Sequence, residues 1–138
     1  WHALCPPWLL SGYCIWEASA MTTMIWVGLG AGLGAACRYG ITVLGKLVSP
    51  TIPYATILIN VIGSLLAGYL TGSQLPGTWA LFLLTGVCGG FTTFSTFSVD
   101  TFVLVRNHRY LLAGWYWLGT VALGVLAVVC GLWLGMHS

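Results

Sequence analysis

With 138 residues, 59% of them apolar and 4% charged, the chain cannot cover a globule with polar surface, and a bilayer is its expected medium. Four cations against two anions, a net charge of +2, are far too few for a nucleic-acid surface. A membrane helix takes roughly 20 apolar residues, so the length has room for four spans and for no separate soluble activity.

The first twenty residues, WHALCPPWLLSGYCIWEASA, lack a basic start and are interrupted by Pro6-Pro7, Gly12 and Glu17. They make a weak secretory signal. Met21 looks like a natural beginning, and residues 1–20 are expected to be a non-native or interfacial extension. That arm should be poorly ordered, with its tryptophans among headgroups and no chemistry. Residues 21–138 are expected to form a single all-α membrane domain with spans at about 24–47, 54–71, 79–105 and 110–134. The loops between them are short, so consecutive spans should pack as antiparallel neighbours.

The first span contains GLGAGLGAACRYG. A dinucleotide-binding loop needs a preceding strand, which a hydrophobic helix does not supply. Gly28, Gly32 and Ala36 instead recur every four residues, as do Gly30 and Gly34, the spacing of close helix packing in bilayers. Arg38 follows. A cation within a span costs about 2.5–3.5 kcal/mol on insertion scales, less where it snorkels. It reads as an arginine reaching the interface, as part of an anion-attracting vestibule, or as a structural tie to backbone carbonyls.

In the second span Thr56, Asn60 and Ser64 share one helical face. A lone asparagine there is interhelical glue, whereas a stripe of three reads as a polar track. Third comes GGFTTFSTFS at residues 89–98, a run of hydroxyls in apolar surroundings. Gly89-Gly90 weakens the helix, and non-helical backbone at that depth is tolerated only where protein or water surrounds it. The third span is therefore expected to be two half-helices broken near Gly89–Thr92, the second starting near Thr93 with its positive dipole end at the break. Phe94 and Phe97 lie on that half-helix, and Ser98 and Thr101 continue their stripe. The rings read as core packing or as an anion path, since an aromatic edge carries partial positive charge. On the fourth span Tyr116, Thr120 and Gly124 share a face.

Cysteines 5, 14, 37, 88 and 130 have no metal-ligand spacing and read as small apolar filler; Cys5 and Cys14 could pair in an oxidising compartment. His2, His108 and His137 form no ligand cluster.

Taken together, GGFTTFSTFS, the TILINVIGS of the second span and the GAACRYG of the first resemble the Fluc (CrcB) fluoride channels. The likeness runs through nearly everything from Met21 onward. It implies four-span subunits that pair as an antiparallel, dual-topology dimer in the cell membrane, with two fluoride pores per dimer. It implies passive export of cytoplasmic fluoride, relieving its toxicity. It further implies a central structural Na+ held by the backbone carbonyls of Gly89 and Thr92 from both subunits. Phe94 and Phe97 would line the anion path beside the Asn60 amide, with Tyr116 and Thr120 as the fourth-span track and Arg38 as the first-span arginine. The sequence departs from the pattern at Gly124, where a hydroxyl can occur and water would substitute. It departs again at Asp100, where glutamate is usual, a change expected to be minor at a helix flank.

The physics of fluoride agrees. A small, tightly hydrated anion needs several aligned donors in place of its water, and the membrane potential drives it outward at about 2.3 kcal/mol per charge per 100 mV. The main alternative is a small multidrug-type, proton-coupled exporter of cationic compounds, which needs a membrane-embedded carboxylate. The spans hold no Glu, and Asp100 is expected near one end of its span. An enzyme would need a nucleophile with a base, and no His, Lys or acid is placed for it. Lys46, Arg106 and Arg109 fall at one side of the membrane, a bias toward both termini outside. Three charges leave open a homodimer or a heterodimer with an oppositely oriented paralogue.

Overall fold

The structure is a computed structural model that describes residues 7–48 and 53–138, with side chains from residue 20 onward. The expectations for the side chains of residues 1–19, a Cys5–Cys14 pairing included, lie outside the described residues. Every regular element among the described residues is helical: α1 (Pro7–Val48), α2 (Tyr54–Gly72), α3 (Gly77–Ala80), a π-helical stretch (Leu81–Cys88), α4 (Gly89–Phe91), α5 (Phe94–Arg106) and α6 (Tyr110–Met136). Four stretches are long and apolar enough to cross a membrane: Ala20–Val48, Tyr54–Gly72, Gly77–Arg106 and Tyr110–Met136. The chain is a multi-pass membrane protein.

Among the described residues helix α1 runs from Pro7, and a proline there is compatible with a helix whose first-turn donors have no intrahelical partner. No later proline interrupts it, so the backbone through residue 20 is helical and continuous with the first span. Its 42 residues extend about 63 Å at 1.5 Å per residue. That is roughly twice a hydrocarbon core, so only its second part is a span.

The bundle consists of two tight helix pairs. In the first, α1 lies on the π-helical stretch and α4; in the second, α2 lies along α6. Glycine makes both contacts possible. A Cβ on Gly34 would run into Val87 O and the Phe91 N–H, and one on Gly90 would meet the backbone of Ala31. On the other pair, Gly68 lies against Val128 O and Gly131 against Leu65 O. The first-span glycines thus divide by face. Gly30 and Gly34 are buried against the third span, whereas Gly28 and Gly32 have open space around them and Ala36 is exposed.

The half-helix α5 packs on α6 and touches α2. Its inward residues Phe97 and Leu104 form a cluster with Ala113 and Tyr116, closed by Ile57 and Leu112. Much of the remaining apolar surface is exposed, including Leu29, Leu33, Leu111 and Leu126, as suits a chain whose solvent is lipid.

Candidate functional site: a broken helix and its polar partners

The break falls at Thr92 and Thr93. After helical Phe91, Thr92 has ψ 157° and Thr93 has φ −146° and ψ 114°, both extended. The break thus lies at the end of the Gly89–Thr92 stretch expected from the sequence, with the second half-helix following Thr93, while Gly89-Gly90 itself is not where the helix opens. Both glycines are helical, and Gly90 serves the close approach to Ala31.

An extended residue inside a membrane leaves backbone groups without helical partners, each expensive to bury unpaired. Asn60 answers this with its whole amide. Its Oδ1 accepts from Thr93 N–H at 2.9 Å, and its Nδ2 donates to Thr93 O at 3.1 Å. The two contacts imitate one rung of a β-ladder, supplied by a side chain from α2. Gly63, one turn along α2, leaves room for the methyl of Thr92 and the ring of Phe91. Asparagine is therefore the interhelical tie, and since an amide nitrogen carries two protons, one donor remains uncommitted.

The hydroxyls of the third span are largely spent on the chain itself. Thr92 donates to Cys88 O at 3.0 Å. Thr93 caps α5 by accepting from Thr96 N–H at 3.2 Å and donates to Thr96 Oγ1 at 3.0 Å. Ser98 donates to Phe94 O at 2.9 Å and Thr101 to Phe97 O at 2.8 Å. A helix start in lipid has no water to satisfy its first N–H groups, which is why hydroxyl residues crowd this point.

An open groove of about 660 Å³ runs beside the break. It brings together Asn60, Thr92, Phe94, Phe97 and Thr120 from the expected set, with Ser64 and Gly124 further along. Phe94 is 80% exposed at the rim while Phe97 is 6% exposed, their ring centroids 6.1 Å apart and tilted by 46°. Phe97 in turn rests on Tyr116 at 5.4 Å. At the far end a Cβ on Gly124 would lie 3.6 Å from Ser64 Oγ. The hydroxyl missing from α6 is therefore matched by one from α2, at the point where water was expected to substitute.

Other expected residues lie elsewhere. Ser98 is outside the groove lining, and Tyr116 is buried behind Phe97 at 3% exposure. Thr120 spends its proton on Tyr116 O at 2.6 Å. Arg38 continues the face of Gly30 and Gly34 one turn beyond the third-span contact, outside the groove. Gly89 is exposed with open space around it. Since Thr93 N–H goes to Asn60, the Gly89 carbonyl lacks its usual i+4 donor.

Asp100 is the residue that sequence reasoning undervalued. It is no flank position: its Oδ2 accepts from Thr56 Oγ1 at 2.8 Å and from Tyr116 OH at 3.3 Å, joining three helices. Its spacing from Thr93 and Phe97, seven and three residues, places it on their buried face and could have revealed it.

A multi-pass helical protein with a broken third span, closed by an asparagine and opening on a phenylalanine-rimmed groove, belongs among membrane transport proteins. Residues 25–132 match the family described as CrcB-like protein, Camphor Resistance (CrcB), and the chain belongs to that family. It is 47% identical over 112 residues, 81% of this chain and 98% of the relative, to the fluoride-specific ion channel FluC 1 of Ligilactobacillus salivarius. It is 42% identical over 113 residues to the FluC of Methylobacterium nodulans, covering 78% of this chain and 91% of that one. Against a FluC 1 of Listeria monocytogenes the identity is 44% over 117 residues, with coverages of 84% and 99%.

Proposed function

We propose that this protein is a fluoride-selective channel that lets cytoplasmic fluoride leave the cell passively. The observation that carries the reading is the groove at the helix break. It combines an uncommitted Asn60 N–H, the Ser64 hydroxyl and the Phe94–Phe97 rim without a fixed cation in its lining. Such a lining offers an anion hydrogen donors and ring edges but no charge that would trap it. Relatives that align over nearly their full length carry the name fluoride-specific ion channel.

A groove open along one side needs a second wall, and a second copy of the chain, inverted in the membrane, is the partner this reading assigns. The near balance of charge, +2 overall, permits insertion in both orientations. Between two such copies the carbonyls of Gly89 and Thr92 would hold a sodium ion. Carbonyl oxygens suit a hard cation, the diverted Thr93 N–H frees the Gly89 oxygen, and no side chain crowds Gly89. The ion would supply positive charge that draws the two breaks together.

The multidrug-exporter alternative gains a membrane-embedded carboxylate in Asp100, but that group is held by two hydroxyls from neighbouring helices. The deciding experiment uses purified protein in liposomes loaded with both halides. A fluoride electrode should record release while chloride stays inside. Equal release of the two ions would remove the selectivity, and no release would remove the channel.

A further inference from the structure

Only two acids occur in the chain, Glu17 and Asp100, and only Asp100 falls within a membrane span. It sits on the inward face of α5 between Phe97 and Leu104, both buried. One carboxylate oxygen, Oδ2, takes the hydroxyl protons of both Thr56 and Tyr116. These residues are 4% and 3% exposed, so their protons have no bulk water as an alternative acceptor. A hydroxyl has a single proton, and while it points at Asp100 it cannot point at an anion. Along the groove the Asn60 amide and the Ser64 hydroxyl are differently placed. Asn60 keeps one N–H in reserve, and no hydrogen bond holds Ser64 among the described residues.

We propose that Asp100 is a specificity-determining positioning residue: its carboxylate holds the Thr56 and Tyr116 protons behind the Phe97 wall of the groove, and an anion in the groove gains them as donors only by drawing them away. The inference rests on the reading of the groove as a fluoride route. A hydrogen bond to a carboxylate is among the stronger ones a neutral hydroxyl makes. Among halides only fluoride, with its small radius and concentrated charge, competes with a carboxylate oxygen for such a proton. Chloride is a weaker acceptor and leaves both hydroxyls where they are. Selection then comes from a contest between two acceptors, with pore width as a second filter. The carboxylate itself never touches the ion, since like charges repel.

The test measures fluoride and chloride release side by side from liposomes carrying wild type, Asp100→Asn or Asp100→Glu, each checked by size exclusion. Asparagine keeps the shape and weakens the acceptor, so the chloride-to-fluoride release ratio should rise at least tenfold while fluoride release persists. Glutamate retains the acceptor and should hold the ratio within threefold of wild type. Tyr116→Phe removes one contested proton and leaves Asp100 in place; fluoride release should fall several-fold with chloride still excluded. An Asp100→Asn protein that discriminates like wild type overturns the inference, as does an Asp100→Glu protein as leaky as the Asn variant. Undiminished fluoride release by Tyr116→Phe also overturns it. Wild type that releases neither ion defeats the channel reading and this inference together. Wild type that releases fluoride beside a chloride-tight Asp100→Asn defeats the inference alone.

Discussion

Asn60 closes the backbone at Thr93 with two hydrogen bonds and keeps one N–H in reserve, so a single side chain serves structure and ion at once. Asn60→Ala leaves both Thr93 groups unpaired and should destabilise the subunit by ~2–4 kcal/mol, given the cost of stranded buried polar groups. The shift should be visible as a lowered melting temperature in detergent. Asn60→Asp keeps the acceptor for Thr93 N–H, sets two oxygens against each other and repels an anion. Its fluoride efflux should drop at least tenfold. Melting that matches wild type in the alanine variant would show that the break is closed by something else. The two phenylalanines separate in the same way. Phe97 is wedged against Tyr116, so Phe97→Ile should lower both melting temperature and flux. Phe94 is exposed in the subunit. Phe94→Ile should therefore change subunit stability by no more than about 0.5 kcal/mol, the usual range for surface sites, while still reducing flux. Equal flux in wild type and Phe94→Ile would make that ring a passive rim.

At the scale of elements, the third span joins a tight pairing with α1 to a free half-helix. Gly90 is where this can be tested, because its Cβ would enter the backbone of Ala31. Gly90→Ala should cost ~1–3 kcal/mol by overpacking. Gly32→Ala, on an open face, should raise stability by ~0.5–1 kcal/mol through helix propensity. Thermal melting of the two variants would show opposite shifts, and similar shifts would mean the α1 faces are misassigned. The existence of a break was legible in GGFTTFSTFS, since the hydroxyl run needs backbone groups to serve. Its position near Thr93 was legible too, but the part played by the glycines was not. A glycine pair reads as weak backbone, yet Gly90 answers to Ala31, a residue nearly sixty positions earlier. The stripe of Thr56, Asn60 and Ser64 was visible by spacing alone, but its division of labour was hidden. Thr56 goes to Asp100, Asn60 to Thr93, and Ser64 to the space beside Gly124. Those partners sit on other helices, and no periodicity within α2 names them.

For the whole molecule, four spans were readable from hydropathy and proline placement, because apolar length is a local property. The pairing of α1 with the third span and of α2 with α6 was not: short loops pointed to consecutive spans as the packing neighbours, whereas the tight contacts join alternate spans wherever glycines let two backbones meet. Residues 1–20 precede both the family match, which begins at residue 25, and most of the first span. Deleting them should leave fluoride efflux within twofold of the full chain. A loss beyond tenfold with normal membrane insertion would give that segment a role in conduction. The basic residues Lys46, Arg106 and Arg109 share one end of the bundle, so an inverted partner would place its own set at the opposite face.

The Asn60–Thr93 clasp also bears on how the polypeptide is made. Synthesis runs from the amino end, so the receptor amide reaches the bilayer before the strand-like residue it must grip emerges from the ribosome. The third segment can thus enter as a plain hydrophobic rod, and uncoil at Thr92 once its ready-made docking post is within reach.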